Sequence, residues 1–464
     1  MNAKISDFLL AGRRLRTTEI VSLLLSSSFG LNAIFYAAWL GYSIGAWALL
    51  IQFAWSFSFF LLIPVARHFT NISSLHDFLG QCFGYKTKLL AALCSLIGII
   101  YFVAWEVNIN VTTVTPLLPG NVGVFTITTF AFGVITYTLL FGLRGNAYID
   151  KYINLIKLAM LFAITSIAFF HFLKLPNDVI YQSAFPSFDK VVTNLGLVGL
   201  ITNIVFNLAW QFVDNSSWQS IIGGSEASKG STLRNLKYSG LMIFLTVNLI
   251  STVLGISLAQ MSNVTPDNIL SMTSGLVPQY GNLVSTGIIV LSIGSMMSLV
   301  DGMLLSLALT VSSDILPKNQ WTRFSEKKRL RLIQLMIIAF GLVTIWGFEH
   351  MLKAIQINLF DFLYIIVISQ LSLIGPVIFG LYGKVNKNDK IWIAILLALI
   401  VGFGSVAIGK MTENKVLIDG AGTFSVTTSL VMAWVLDRQG KPSIALSADS
   451  ASSSSSRALI SASK

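Results

Sequence analysis

Two polar interruptions of apolar stretches decide the fold of this chain: SSSFGLN at residues 26–32 and NLAWQFVDNSSWQ at residues 207–219. Each lies in a run that is long and apolar enough to cross a bilayer as a helix. Serine hydroxyls compete with the backbone for hydrogen bonds and glycine adds flexibility, so the first run predicts a helix that breaks in mid-membrane. Close helix packing through small residues explains the first run equally well.

The composition establishes an integral membrane protein. Of 464 residues, 54% are hydrophobic and 11% charged, and the mean hydropathy is +0.76, which excludes a soluble globule. The apolar runs are continuous rather than alternating, so a β-barrel is excluded as well. Twelve helical spans are predicted, to within a few residues, at 18–41, 44–66, 89–116, 122–142, 152–173, 197–221, 238–260, 283–312, 330–348, 354–382, 391–409 and 422–436.

The positive charge is distributed on one side of these spans. With the N-terminus inside, 26 of the 31 Lys and Arg residues fall on the inner face, which predicts a plasma (inner) membrane protein with both termini cytoplasmic. The net charge of +11 therefore faces anionic lipid rather than nucleic acid. The bilayer is the partner that this basicity predicts, and no nucleic acid is expected.

No motif argues for an enzyme: HExxH, GxSxG and paired Cys or His metal ligands are absent from the sequence. Outside the spans, residues 1–17 form an inner N-terminal segment. Residues 73–80 predict a short amphipathic helix on the inner surface. Residues 441–464 predict a disordered tail rich in Ser and Ala.

Four acidic residues lie within predicted spans: Glu106, Asp214, Asp301 and Asp361. A carboxylate in hydrocarbon costs several kcal/mol, so each is expected to face an aqueous cavity, a partner or a cation. No Lys or Arg is predicted deep in any span to pair with them. The alternative is that the acids are protonated and hydrogen-bonded between helices.

The second interruption also carries aromatic residues. Trp210, Asp214 and Trp218 recur every four residues and share one helix face. Two aromatic surfaces beside a carboxylate suit a cationic or amphipathic ligand. Polar packing between helices is the alternative. Breaks at the starts of two five-span halves indicate an inverted-repeat transporter.

Several motifs give the chain a more specific resemblance. Asp7–Arg13 reads DFLLAGR, Leu75–Gly80 reads LHDFLG, and Met297–Leu305 reads MSLVDGMLL. Together with Gly41–Gly45 (GYSIG) and Gly375–Leu381 (GPVIFGL), they resemble the sodium:solute symporter family in order and spacing.

The resemblance implies the LeuT-type fold, an all-α membrane architecture of two inverted five-helix repeats. The ten-helix core would comprise residues 18–382, with repeats at 18–173 and 197–382. Two additional helices would follow at 383–440.

The resemblance also implies where a coupling ion binds. In the family, sodium is held by carbonyls of the broken first helix, here at Ser26 and Phe29, and by hydroxyls of the eighth, here Ser295 and Ser298. Leu299 departs from the pattern, because a second hydroxyl is expected there. Sodium is therefore the expected coupling ion, with a proton as the alternative and Asp301 and Asp361 as possible coupling acids. No other cofactor is implied.

For the substrate, the resemblance points to Asn207, Trp210 and Asp214 on the sixth helix, faced by Asn32 and Ala33 on the first. Glu106 on the third helix is the best-placed additional acid. The expected function is cation-coupled secondary transport that imports a small organic solute, amine-bearing or amino-acid-like, by alternating access. A proton-coupled symporter, an uncoupled facilitator and a non-transporting membrane sensor are the alternatives. The sequence leaves the oligomeric state open, a monomer included.

Overall fold

The computed structural model describes residues 3–119, 122–226, 231–260, 269–344, 359–383, 386–439 and 441–442. Within these ranges the chain is helical, apart from an antiparallel pairing of Asn386–Lys387 with Lys441–Pro442. The predicted disordered tail lies outside the described residues from 443 onward. The proposed division into repeats stays a prediction.

The first half of the chain contains a broken membrane helix, three further membrane helices and short surface helices. Their bounds are α1 Ala3–Leu10, α2 Thr17–Ser27, α3 Leu31–Ile44, α4 Ala48–Leu61, α5 Leu75–Phe83, α6 Tyr85–Val114, α7 Val122–Phe172, α8 Asn177–Ala184 and α9 Phe188–Leu195. A 3₁₀ segment, Ile63–Thr70, follows α4.

The second half begins with another broken helix. Its helices are α10 Leu197–Val213, α11 Asn215–Ile222, α12 Ser231–Ile243, α13 Leu249–Leu258, α14 Ile269–Leu309, α15 Lys318–Trp321, α16 Glu326–Leu342, α17 Leu359–Leu371, α18 Ile374–Tyr382, α19 Trp392–Met411 and α20 Lys415–Arg438. Short π-helical turns, Phe244–Asn248 and Thr310–Ile315, join α12 to α13 and end α14.

These helices account for a multi-pass membrane protein. In the described part of the chain, eight helical segments are long and apolar enough to cross a bilayer, and a ninth is added if the bent pair α9 and α10 counts as one. One of the eight, α7, has 51 residues and bends at Gly142, so it contains two predicted spans. Within the described residues, each of the twelve predicted spans corresponds to a helix, a helix pair or part of a bent helix; residues 345–348 of the ninth span and 354–358 of the tenth lie outside the described residues.

Both predicted interruptions are confirmed. The first membrane helix ends at Ser27 and resumes at Leu31. The sixth ends at Val213 and resumes at Asn215. The half-helices α2 and α11 lie against each other and against α14, so the two breaks meet in the protein interior.

The fifth membrane helix begins earlier than predicted. The bend in α7 is at Gly142, where φ is +59°, a conformation that favours glycine. A Cβ there would also lie 2.5 Å from the carbonyl oxygen of Phe8. The helix therefore starts near Leu143 rather than at residue 152, which adds about two and a half turns at its inner end.

The predicted amphipathic helix is real but is not confined to the membrane surface. In α5, the Ser74 hydroxyl accepts a hydrogen bond from the backbone N–H of Asp77 at 2.9 Å and caps the helix. His76, Phe78 and Leu79 are buried, and α5 packs against α6. The helix thus packs against the ends of membrane helices.

Candidate transport site

The break in the first helix is closed by a carboxylate from the third. Glu106 on α6 is completely buried. Its Oε1 accepts a hydrogen bond from the Leu31 N–H at 2.8 Å, and its Oε2 accepts one from the Asn32 N–H at 3.1 Å. The Asn110 amide also donates to Oε1 at 3.0 Å. Glu106 therefore satisfies amide groups that the start of α3 leaves without an intrahelical partner.

Gly30 permits this approach. A Cβ at Gly30 would lie 2.9 Å from Glu106 Oε2, 2.6 Å from Asn32 Oδ1 and 2.5 Å from Leu299 Cδ1. Leu299, where the family pattern expects a hydroxyl, thus packs directly against the break.

The break in the sixth helix is closed in the same way by Asp214. Its carboxylate accepts hydrogen bonds from the backbone N–H groups of Ser216 and Ser217, each at 3.1 Å. The hydroxyls of the same two serines donate to it at 2.9 and 2.6 Å. Asp214 is therefore the N-cap of α11, and its predicted role in binding a solute stays a prediction.

The predicted sodium ligands meet an ammonium group from the chain itself. Lys157 on α7 is completely buried. Its Nζ donates to the Phe29 carbonyl at 3.0 Å and to the Ser298 hydroxyl at 2.5 Å. The nitrogen also lies 4.4 Å from the centroid of the Phe29 ring, within the range of a cation–π contact.

The other two predicted sodium ligands have different surroundings. The Ser26 hydroxyl pairs with the side chain of Asn154, and the Ser26 carbonyl accepts the Phe29 N–H at 3.1 Å. The Ser295 hydroxyl is buried without a hydrogen-bond partner among the described residues. The structure thus brings Phe29 and Ser298 together and leaves Ser26 and Ser295 outside the contact with Lys157.

The expectation that no basic residue lies deep in a span is wrong. Because the fifth helix starts near Leu143, Lys157 lies about four turns inside it rather than near its end. A lysine near the predicted end of a span is ordinarily one that reaches toward the membrane surface. The early helix start, marked by Gly142 and Arg144, was the signal that could have identified it.

Two further buried acids lie near Lys157. Asp301 accepts a hydrogen bond from the Tyr137 hydroxyl at 2.9 Å. The charged neighbours of Asp150 are Asp301 and Lys157, and the Ser26 hydroxyl is also close to it; neither of its carboxylate oxygens accepts a well-aligned hydrogen bond from the described residues. Sequence reasoning missed Asp150 because it assigned this residue to a loop. Asp361 lies in α17, and its side chain is outside the described part of the structure.

A small cavity lies between α2, α7, α11 and α14. Its polar lining consists of Ser27, Asp150, Ser216, Gln219, Ser220 and Ser298. Ser298 contacts Lys157 directly, so the cavity connects the surroundings of the ammonium with Asp150.

Trp210, which the sequence assigns to the solute, lies in a cluster of aromatic rings. Trp210 is stacked on Trp55, with ring centroids 5.7 Å apart and planes at 19°. Phe102 lies on Trp210 at 5.8 Å and Phe206 at 5.2 Å. Trp218, by contrast, lies in the second half of the broken sixth helix and contacts Phe69 and Phe78. Trp210 and Trp218 therefore do not form one binding site on either side of Asp214.

The neutral polar residues predicted for the solute lie on both broken helices. Asn207 donates to the Tyr36 hydroxyl at 2.8 Å, and Tyr36 donates to Asn203 at 2.5 Å. Both polar atoms of the Asn32 side chain are buried and have no hydrogen-bond partner among the described residues. Ala33 follows Asn32 in the first turn of α3, where its N–H donates to the Gly30 carbonyl at 3.2 Å.

Several solved transporter structures are similar to this chain. A substrate-bound, outward-open Na⁺-coupled sialic acid symporter has a TM-score of 0.75 at 14% identity, with 94% of this chain and 93% of that one covered. A nucleobase-cation-symport-1 family transporter, closed with bromovinylhydantoin bound, gives 0.57 at 15% identity, covering 92% and 93%. A mutant manganese transporter of Eremococcus coleocola gives 0.55 at 12% identity, covering 93% and 95%.

No family model and no curated protein sequence matches the chain. At these identities the structural likenesses establish the fold, and the prediction of an all-α LeuT-type membrane fold is confirmed. The solutes named for the three proteins differ widely, so the shared fold leaves the solute of this chain open. The chain is a multi-pass membrane protein with the LeuT-type fold, and two broken helices meet at its centre.

Proposed function

We propose that this protein is a secondary transporter that imports a small organic solute by alternating access and is coupled to a proton rather than to sodium. Its fold is shared with cation-coupled transporters, and both of its broken helices meet at a polar and aromatic site. Broken helices at the membrane midplane are where transporters of this architecture bind solute and ion.

The position of Lys157 carries the choice of coupling ion. Its ammonium contacts the Phe29 carbonyl and the Ser298 hydroxyl, the two groups that the family resemblance assigns to sodium. The ammonium supplies the same single positive charge from a side chain. A tethered cation cannot leave during the cycle, but it can lose a proton.

The coupling follows from which elements the ammonium joins. When protonated, Lys157 holds the end of α2 to α14 through a carbonyl and a hydroxyl. Loss of the proton removes the charge that strengthens these contacts and permits α2 to move. If the solute binds better to the state in which α2 is held, protonation and solute binding favour each other reciprocally.

The test is uptake into proteoliposomes, with the solute first identified by a thermal-shift panel. We expect accumulation under an inward proton gradient in sodium-free buffer. We expect none under a sodium gradient with equal pH on both sides. Accumulation driven by sodium alone would refute the proton assignment, and equal uptake without any gradient would reduce the protein to a facilitator.

Lys157→Gln, which cannot be protonated, is expected to abolish accumulation but to retain exchange of solute across the membrane. Lys151→Gln is the matched control. Lys151 is exposed one turn and a half earlier in α7, so its replacement should leave both activities unchanged.

A further inference from the structure

We propose that Glu106 is a built-in substitute for a solute carboxylate, so that the site accepts neutral or cationic solutes and rejects those that carry a carboxylate. The inference rests on the proposed function of the same site and names its substrate class. It also narrows the expectation of an amino-acid-like solute to an amine or amide without the acid group.

The first observation is the occupied terminus of α3. A helix that restarts in the membrane offers backbone N–H groups and a positive dipole end, which together attract an anion. Here both oxygens of Glu106 bind the first two N–H groups of the helix, those of Leu31 and Asn32. A carboxylate from a solute would have to displace an internal carboxylate that has the same charge and geometry.

The break in the sixth helix offers no other binding site for a solute carboxylate. The N–H groups at the start of α11, on Ser216 and Ser217, are bound by Asp214. The hydroxyls of the same serines also point to that carboxylate. Both helix termini that could hold an anion are therefore filled by acids of the chain.

Basic side chains do not offer a solute carboxylate another binding site. Among the described residues, the buried Lys and Arg residues are Lys88 and Lys157. Lys157 is bound to Phe29 and Ser298, and Lys88 is bound to Asp314 and Ser313 at the inner end. An anionic solute would meet two fixed carboxylates and no uncommitted buried ammonium or guanidinium in this part of the chain.

The neutral side chain of Asn32 remains beside the first break, and the sixth helix contributes the aromatic cluster around Trp210. The Asn32 side chain is 2% exposed, its amide oxygen and nitrogen are both unpartnered among the described residues, and it adjoins Gly30. An amide provides one acceptor and two donor positions, which suits an amine, amide or hydroxyl. Trp210 and its stacked neighbours suit an apolar or cationic portion.

The first test compares ligands that differ only in the acid group: phenylalanine, phenylalaninamide and phenethylamine, with the corresponding leucine series. Binding is measured by thermal shift of the purified wild-type protein, so no ion gradient or transport is required. We expect the amide or the amine of a series to raise the melting temperature. The amino acid should need at least a tenfold higher concentration to give the same shift. Tighter binding of the amino acid would overturn the proposal.

The second test empties the terminus of α3. Glu106→Ala removes the carboxylate from Leu31 and Asn32, and added formate or acetate is expected to raise the melting temperature of this variant but not that of the wild type. Asp150→Ala is the matched control: it also removes a buried carboxylate, but one that binds no helix terminus, and it should show no rescue. A folded Glu106→Ala variant that does not respond to either anion would contradict the proposal.

Glu106→Gln tests the proposal if the alanine variant does not fold. The glutamine amide preserves size and one acceptor but places an N–H₂ group against a backbone N–H. We compare the affinity for the amino acid with the affinity for the amine. In this variant we expect the ratio of the two to be at least tenfold higher than in the wild type, because one negative charge has been removed. An unchanged preference would overturn the role of Glu106, whereas failure of proton-driven uptake would refute only the coupling mechanism.

Discussion

Replacing Lys157 with alanine is expected to convert a site that excludes sodium into one that binds it. The variant removes the ammonium from the Phe29 carbonyl and the Ser298 hydroxyl, which are 3.0 and 2.5 Å from its nitrogen. Both oxygens then face an unfilled volume of about the size of a small cation. A second substitution, Leu299→Ser, adds the hydroxyl that the family pattern expects at this position.

The size of the effect follows from the distances. For a sodium ion that lies as far from the Lys157 nitrogen as the Phe29 carbonyl oxygen does, 3.0 Å, the two charges are in direct contact. At an effective dielectric constant of about 20, two unit charges at about 3 Å repel each other by about 5.5 kcal/mol. This corresponds to roughly four orders of magnitude in affinity, so wild-type protein with Lys157 protonated should not bind sodium here at physiological concentrations.

The assay is thermal unfolding in detergent, with sodium chloride compared against choline chloride at equal ionic strength. If the vacated site binds sodium with a Kd of about 10 mM, then about 100 mM sodium stabilises the variant by about 1.4 kcal/mol. We expect no sodium effect on the wild type and the largest effect on Lys157→Ala combined with Leu299→Ser. A wild type that responds to sodium as strongly as the variants would refute the reasoning.

Four further outcomes are expected. Asp150→Asn should slow proton-driven uptake while sparing solute exchange, because Asp150 is the acid beside the cavity that reaches Ser298; equal loss of exchange, measured by counterflow, would contradict this. Asp314→Asn should destabilise the protein by about 3–5 kcal/mol in thermal or chemical unfolding, because it breaks a buried contact with Lys88 and His76, each at 3.0 Å. The control Asp77→Asn, 3.8 Å from Lys88 and partly exposed, should cost less than about 1 kcal/mol. Gly30→Ala should lower stability by about 1–3 kcal/mol through overpacking against Leu299 and Glu106, and an unchanged melting temperature would show that the break is loosely packed. Burial raises the pKa of the Cys82 thiol to about 12, so in a Cys94→Ser background its alkylation at pH 8 should be roughly 10³-fold slower than that of a free thiol; labelling at the rate of a free thiol would mean that α5 opens readily.

The sequence predicted the features that depend on local composition. Apolar runs set the spans, and the serine and glycine residues at 26–30 and the polar run ending at Gln219 set the two breaks. The residues of each run identify where a break can form, but for the run at 26–30 close helix packing was an equal alternative, and only the structure decides between the two.

The contacts across the site could not be predicted from local composition. Glu106 and Leu31 are 75 positions apart, and their meeting depends on the rotation of α6 against α3. Lys157 was missed because the helix boundary was placed at residue 152, and an error of this size decides whether a lysine is buried or reaches the surface. The shared face of Trp210, Asp214 and Trp218 assumed an unbroken helix, whereas the break makes Asp214 the N-cap of α11; its role toward a solute stays a prediction.

Lys157 and Glu106 belong to one physical arrangement. A break in a membrane helix leaves carbonyl groups that attract a cation and amide groups that attract an anion. In this chain, Lys157 meets the Phe29 carbonyl on one side of the break and Glu106 meets the Leu31 amide on the other. Since both charges are covalently part of the protein, the break can remain ordered without ion or solute, and an arriving ion cannot be what orders it. In the proposed cycle, control then lies in changing the charge of a resident group, and the group that joins the first-helix break to α14 is the ammonium of Lys157.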